Sequence, residues 1–186
     1  MSHALAPKIA AVGLEVLREH IAAVPDFPKE GILFRDITPI LSDPTCLKIA
    51  VDLHLDAVAD IAGQIDMIVG IESRGFLFGM PIAAALGVGF VPVRKPGKLP
   101  RPVIEERYAL EYGEDALQLH QDDLRRGQKI LVVDDLLATG GTASAACALA
   151  EKAGAQVLGC LFLIELEALG GRQRLGQRRV NALIGY

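Results

Sequence analysis

"KILVVDDLLATGGTASAACALAEKAGAQVLGCLFLIEL", Lys129 to Leu166, is the stretch that decides the fold of this chain. It opens on an apolar, β-branched run that ends at Val133, the pattern of a buried strand. A turn of small and hydroxylated residues, Ala138 to Thr142, leads into a helical stretch that Gly154 stops. "AQVLGCLFLIEL", from Ala155, is a second apolar run and completes a strand–helix–strand unit. Upstream, "MIVGIES" from Met67 and "VGFVPVRK" from Val88 repeat the theme, with "FLFGMPIAAALG" between them and "CLKIAVDLHLDAVADIAG" before them. Apolar strands alternating with helices predict an α/β fold, a central, mostly parallel sheet with helices on both faces. Ligands of such sheets gather beyond the carboxyl ends of the strands.

Asp134 and Asp135 stand at that end of the strand, directly before the turn. The strand is expected to end at Val133 and the next helix to start near Ser144. That order surrounds the turn with the free N–H groups of a helix N-terminus. Gly140 and Gly141 let backbone N–H groups close on an anion, and the hydroxyls of Thr139 and Thr142 add donors. The turn has no lysine and no GxxxxGK[ST] pattern, so it suits a phosphate monoester rather than a nucleoside triphosphate. Carboxylates repel phosphate but accept hydrogen bonds from vicinal hydroxyls. A ribose 5-phosphate offers both partners, its phosphate to Ala138–Thr142 and its 2- and 3-hydroxyls to Asp134 and Asp135.

The 186 residues suit one domain, and 51% hydrophobic with 23% charged residues excludes a disordered chain. A net charge of −4 shows no basic face for nucleic acid. Cys46, Cys147 and Cys160 lie in or beside apolar stretches without paired spacing, so they read as buried reduced thiols. "ALAPKIAAVGLEVLREHIAAV" reads as an amphipathic surface helix, because its charges interrupt any signal-peptide core. No run approaches the roughly 18 apolar residues of a membrane span, and a cytoplasmic location is expected. His3, His20, His54 and His120 form no metal-ligand cluster.

Two segments break the strand–helix rhythm. "VPDFPKEGILFRDITPILSDP" contains four prolines and cannot be one regular element. "RKPGKLPRPVIEERYALEYGEDALQLH" starts as a basic, proline-rich loop and continues as a hairpin around Gly113. A long insertion of this kind in a compact domain is usually a lid.

With these motifs in place, the chain resembles the adenine phosphoribosyltransferase family of type I phosphoribosyltransferases. "VVDDLLATGGT" looks like that class's phosphoribosyl-pyrophosphate motif, and "FPKEGILFRDITPIL", "GIESRGFLFG", "VPVRKPGKLP", "YALEYG" and "LIEL" occur in the family's order. The resemblance implies a single domain over 1–186, with a hood for the base at about 24–45 and a flexible lid at about 94–120. It implies transfer of a phosphoribosyl group to adenine, giving AMP and pyrophosphate, with Mg²⁺ carried in by phosphoribosyl pyrophosphate, in a homodimer. It assigns Ser73, Arg74, Arg94, Lys95 and Lys98 to the pyrophosphate and makes the Glu72–Ser73 bond cis. Glu111 is the catalytic acid/base on the lid, aided by Arg74. Leu33, Phe34 and Arg35 hold adenine, Phe34 by stacking and its neighbours by backbone groups, and Leu166 closes the opposite face. The chain departs from the family's KLPGP pattern in having Arg101 where a glycine is usual.

Two other readings stay open at this point. A phosphoribosyltransferase for another purine base would share the ribose-phosphate site and differ in the hood. A non-catalytic purine-responsive regulator would need a nucleic-acid-binding surface. A dinucleotide-binding dehydrogenase fails for want of GxGxxG after an early strand.

Overall fold

The computed structural model describes residues 7–109 and 113–186. The chain divides into two compact units, Met1–Ala59 and Asp60–Tyr186.

The first unit begins with the expected helix, α1 (Pro7–His20), which carries Arg18 and His20 in its last turn, where cations suit the helix dipole. It buries Leu17 and leaves Ile9 and Val12 in the open. The proline-rich segment resolves into short pieces, β1 (Ala22–Pro25), β2 (Leu33–Asp36) and α2 (Thr38–Ser42). β1 and β2 pair antiparallel, with Val24 opposite Phe34, and form a sheet of two strands. α3 (Pro44–Ala57) has a proline in its first turn and is capped by Asp43, whose side chain accepts the Cys46 N–H at 2.8 Å. It ends at Ala57, earlier than the apolar pattern suggests, because Val58 leaves helical geometry at φ −120°.

The second unit is built on β3 (Met67–Ile71), α4 (Gly75–Leu86), β4 (Gly89–Val93), the hairpin strands β5 (Val103–Ala109) and β6 (Glu114–His120), β7 (Lys129–Leu137), α5 (Gly141–Lys152), β8 (Gln156–Glu165), the short α6 (Gly171–Arg174) and β9 (Val180–Gly185). Five strands form one sheet in the order β4-β3-β7-β8-β9, and every neighbouring pair is parallel. β9 was not foreseen; most of its residues are only half-buried, so it lacks the continuous apolar run that marks its neighbours. β5 and β6 pair antiparallel around the expected turn, with Ala109 opposite Glu114.

The order places the site. From β3 the chain crosses to β4 on one side, and from β7 it crosses to β8 on the other. Crossovers of the same right hand in opposite directions put α4 and α5 on opposite faces. The strand order therefore reverses between β3 and β7, and a crevice opens beyond their carboxyl ends. Beneath it, Val69, Ile71, Val132 and Phe162 pack with Ala143, Ala146, Cys147 and Ala150 of α5 in one buried cluster. The alanines let the helix lie close to the sheet, a denser arrangement than larger side chains would allow.

Candidate active site

The crevice is a cavity of about 340 Å³ lined by Glu72, Ser73, Arg74, Lys95 and the whole run Asp134 to Ala143. The loop after β3, the end of β7 with the turn after it, and Lys95 from the loop after β4 make it, at the reversal point. The strand that was expected to end at Val133 continues to Leu137. Asp134, Leu136 and Leu137 keep their pairing with Phe162, Ile164 and Glu165 of β8, so both acids lie within the strand. The helix likewise begins at Gly141, earlier than Ser144. Both corrections shorten the turn.

Two glycines make the close approaches this requires. Gly140 caps α5 at φ +79°, and a Cβ there would lie 2.3 Å from the Gly171 carbonyl oxygen. Gly75 starts α4, and a Cβ there would lie 2.5 Å from the Val133 carbonyl oxygen. Larger residues at either point would push a loop out of the crevice.

The acids have different partners. Asp135 is buried and pairs with Arg74, Nε to Oδ2 at 2.5 Å. Asp134 accepts the Asp135 backbone N–H at 2.9 Å. Burial, and then the neighbouring Asp135 charge, push the Asp134 carboxyl well above its usual pKa, while Arg74 pulls the other way. Two acids this close resist double ionisation.

The basic residues of the loop after β4 are held in readiness. Glu72 accepts from Arg94 Nε at 3.0 Å, from the Lys95 backbone N–H at 2.9 Å and from Lys98 Nζ. Burial opposes the Glu72 charge, yet these hydrogen bonds hold its pKa at about 2 against an ordinary 4.5. Lys95 Nζ turns to Asp115 and donates to Tyr108 Oη at 3.0 Å. Arg101 joins its loop to the turn after β6, with Nη1 2.5 Å from Asp122 and Nη2 2.5 Å from Asp123.

A depressed carboxyl pKa contributes stability that is present above the unfolded value and lost as pH falls toward the folded one. For Glu72 that window runs from 4.5 down to about 2. Glu72→Gln is therefore expected to lower the melting temperature at pH 7. The gap to the parent should narrow through that window. Melting curves at pH 7, 4 and 3 check this; a constant gap would remove the Glu72 clamp as its origin.

Of the residues singled out in the sequence, Ser73, Arg74, Lys95, Asp134, Asp135, Ala138, Thr139, Gly140, Gly141 and Thr142 meet in this cavity. Arg94 and Lys98 do not line it and sit on Glu72 instead. Leu166 follows β8, and its N–H donates to the Leu137 carbonyl at 2.9 Å. Leu33, Phe34 and Arg35 fall on β2 in the first unit, where Leu33, Ile32 and Phe27 are exposed. Glu111 lies outside the described residues. The chain enters that segment at Ala109, whose carbonyl oxygen is 3.9 Å from where a Cβ on Gly141 would sit. The Glu72–Ser73 bond is cis, as expected. Glu72, Leu136, Leu137 and Ala143 line the cavity without having been anticipated. For Glu72 a signal existed: it is an isolated acid beside Arg74, ahead of a loop with three cations.

A parallel sheet with paired acids and a small-residue anion cradle at its reversal point defines a class of phosphoribosyl-handling proteins. Residues 37–181 match the phosphoribosyl transferase domain, and the chain belongs to that family. Among its relatives are adenine phosphoribosyltransferases. The protein of that name from Francisella tularensis subsp. holarctica (strain OSU18) is 51% identical over 175 residues, which cover 94% of this chain and 100% of the relative. The crystal structure of adenine phosphoribosyltransferase from Thermoanaerobacter pseudethanolicus superposes with a TM-score of 0.89 at 46% identity, covering 93% of this chain and 99% of that one. The Saccharomyces cerevisiae enzyme, solved with adenine and D-2,5-dideoxy-2,5-imino-altritol 1,6-bisphosphate, gives 0.88 at 43% identity, covering 93% and 99%.

Proposed function

We infer that this chain transfers the 5-phosphoribosyl group of phosphoribosyl pyrophosphate to N9 of adenine, giving AMP and pyrophosphate, and so serves purine salvage. The observation that carries the reading is the single cavity in which Asp134 and Asp135 lie beside the Ala138–Thr142 cradle, with Arg74 and Lys95 on its rim. The backbone N–H groups at the start of α5 and the Thr139 and Thr142 hydroxyls hold the 5-phosphate. Asp134 and Asp135 take the ribose hydroxyls. As the bond from the anomeric carbon to pyrophosphate breaks and the bond to N9 forms, Arg74 and Lys95 neutralise charge on the leaving group, with Ser73 beside them. Arg94 and Lys98, parked on Glu72, are within the same loop and join them. The resemblance assigns Leu33, Phe34, Arg35 and Leu166 to the base and Glu111 to its proton.

Among the described residues no three His, Cys, Asp or Glu side chains converge to hold a metal ion. The reading therefore has Mg²⁺ carried in by phosphoribosyl pyrophosphate. Bound there, it would neutralise phosphate charge. A homodimer agrees with the exposed apolar side chains of Ile9, Val12, Leu77 and Met80; light scattering on the purified protein tests it. A cytoplasmic location agrees with three free cysteines. No described helix is long and apolar enough to cross a membrane.

The reading is tested at the acids. Asp135→Asn is expected to weaken binding of AMP and phosphoribosyl pyrophosphate by roughly 10-fold or more, the scale of a lost charged hydrogen bond. Adenine alone should bind as before. Titration calorimetry measures all three, and unchanged AMP affinity in the double Asn variant would sink the assignment.

A further inference from the structure

The Tyr108 hydroxyl touches three groups at once. It accepts from Lys95 Nζ at 3.0 Å, accepts from Thr142 Oγ1 at 3.4 Å and donates to Asp115 Oδ2 at 3.2 Å. A phenol has one donor and two acceptor positions, so all its capacity is used. Lys95 Nζ also bonds Asp115 directly. Tyr108 belongs to β5, Asp115 to β6, Lys95 to the basic loop and Thr142 to the phosphate cradle. The lysine that lines the cavity is therefore tied to the lid hairpin, one hydroxyl away from the cradle.

We propose that Asp115 and Tyr108 form a dock that competes with pyrophosphate for the Lys95 ammonium and so sets how readily that product leaves; this rests on the reading of Lys95 as a pyrophosphate ligand. A diphosphate carries more charge than one carboxylate, so it takes the lysine when it is bound. On its departure the ammonium does not return to bulk water but to Asp115, which offsets part of the loss. The dock tolerates the lysine's absence, because Asp115 keeps the Tyr108 hydroxyl and accepts the Ala116 N–H at 2.8 Å. Neither Asp115 nor Tyr108 need touch the substrate. They are positioning residues that act through Lys95.

Damage to a merely structural contact would weaken ligand binding. Loss of a competing dock strengthens it, and that difference in sign is the test. Pyrophosphate binding in the presence of Mg²⁺ is measured by titration calorimetry for the parent, Asp115→Asn, Tyr108→Phe, Lys95→Ala and Lys95→Ala with Asp115→Asn. Asp115→Asn is expected to tighten pyrophosphate about five- to tenfold, the scale of one partly exposed charged hydrogen bond, and to lower both kcat and KM for phosphoribosyl pyrophosphate. Tyr108→Phe, which removes one of the two dock contacts, moves the same way by about twofold. In the Lys95→Ala background Asp115→Asn should have no effect. Weaker pyrophosphate binding in Asp115→Asn, or an undiminished effect without Lys95, overturns the dock. If Lys95→Ala itself leaves pyrophosphate affinity unchanged while AMP still binds, the assignment of Lys95 is what fails, and the dock falls with it.

Discussion

Glu111→Gln is expected to lower kcat by about 10²- to 10⁴-fold, the range of a positioned general acid or base, while affinity for adenine and AMP changes little. Attack by N9 on the anomeric carbon leaves the base with a proton to lose, and a carboxylate near N7 or N9 can take charge of it; the amide of glutamine keeps the shape and loses the basicity. β5 and β6 stay in register as far as Ala109 and Glu114. The Ala109 carbonyl oxygen lies 3.9 Å from where a Cβ on Gly141 would sit, and Gly113 has φ +96°. A residue that acts only in the transition state lowers kcat and kcat/KM together. Steady-state kinetics combined with AMP titration separates this from a binding defect. Identical kinetics in variant and parent would reduce Glu111 to an ordinary hairpin residue.

The parts of this molecule that were legible in its sequence are those that local chemistry dictates. Four buried strands announce themselves as apolar runs because both faces of a parallel sheet are covered. Asp134 and Asp135 are conspicuous because two acids interrupt such a run, with only Leu136 and Leu137 between them and "ATGGT". β9 escaped because an edge strand is half-buried and needs no apolar run. The end of β7 was placed too early for the opposite reason. Pairing with β8 holds Asp134 to Leu137 in extended geometry although acids are poor strand formers. The ion pairs escaped altogether. Glu72 and Arg94 are 22 residues apart, and Lys95 and Asp115 are 20 apart. These pairs exist because β4 lies beside β3 and the hairpin folds back on the basic loop, which no local pattern encodes. The basic loop thus read as free cations around a diphosphate, whereas in the folded chain Arg94, Lys95 and Lys98 each sit on a carboxylate. Arg101 shows the same limit. It stands where the family usually has a glycine, and its contacts with Asp122 and Asp123 tie down one end of the loop through residues more than twenty positions away.

Adenine is expected to be preferred over hypoxanthine by at least about a hundredfold in kcat/KM. Among the described residues β2 pairs with β1 alone, so its other edge carries no strand there. On such an edge a carbonyl and the N–H two residues along point the same way. The proposed recognition by Leu33 to Arg35 uses this pattern, with a carbonyl to accept from the 6-amino group and an N–H to donate to N1. Hypoxanthine reverses both partners. Its 6-oxo group meets a carbonyl and its N1–H meets a donor. Two mismatched polar pairs at roughly 1–3 kcal/mol each supply the hundredfold. Phe34 contributes differently. It packs edge-to-face on Phe27, with ring centroids 5.1 Å apart at 72°, and Phe27, Ile32 and Leu33 are exposed around it, an apolar surface suited to a flat base. Phe34→Ala should therefore weaken every base while leaving the preference for adenine largely intact, because main chain does the reading. The decisive quantities are kcat/KM for adenine and hypoxanthine in both proteins. Equal use of the two bases by the parent would overturn the choice of adenine. Loss of the preference in Phe34→Ala alone would overturn reading by the backbone and move discrimination to the ring.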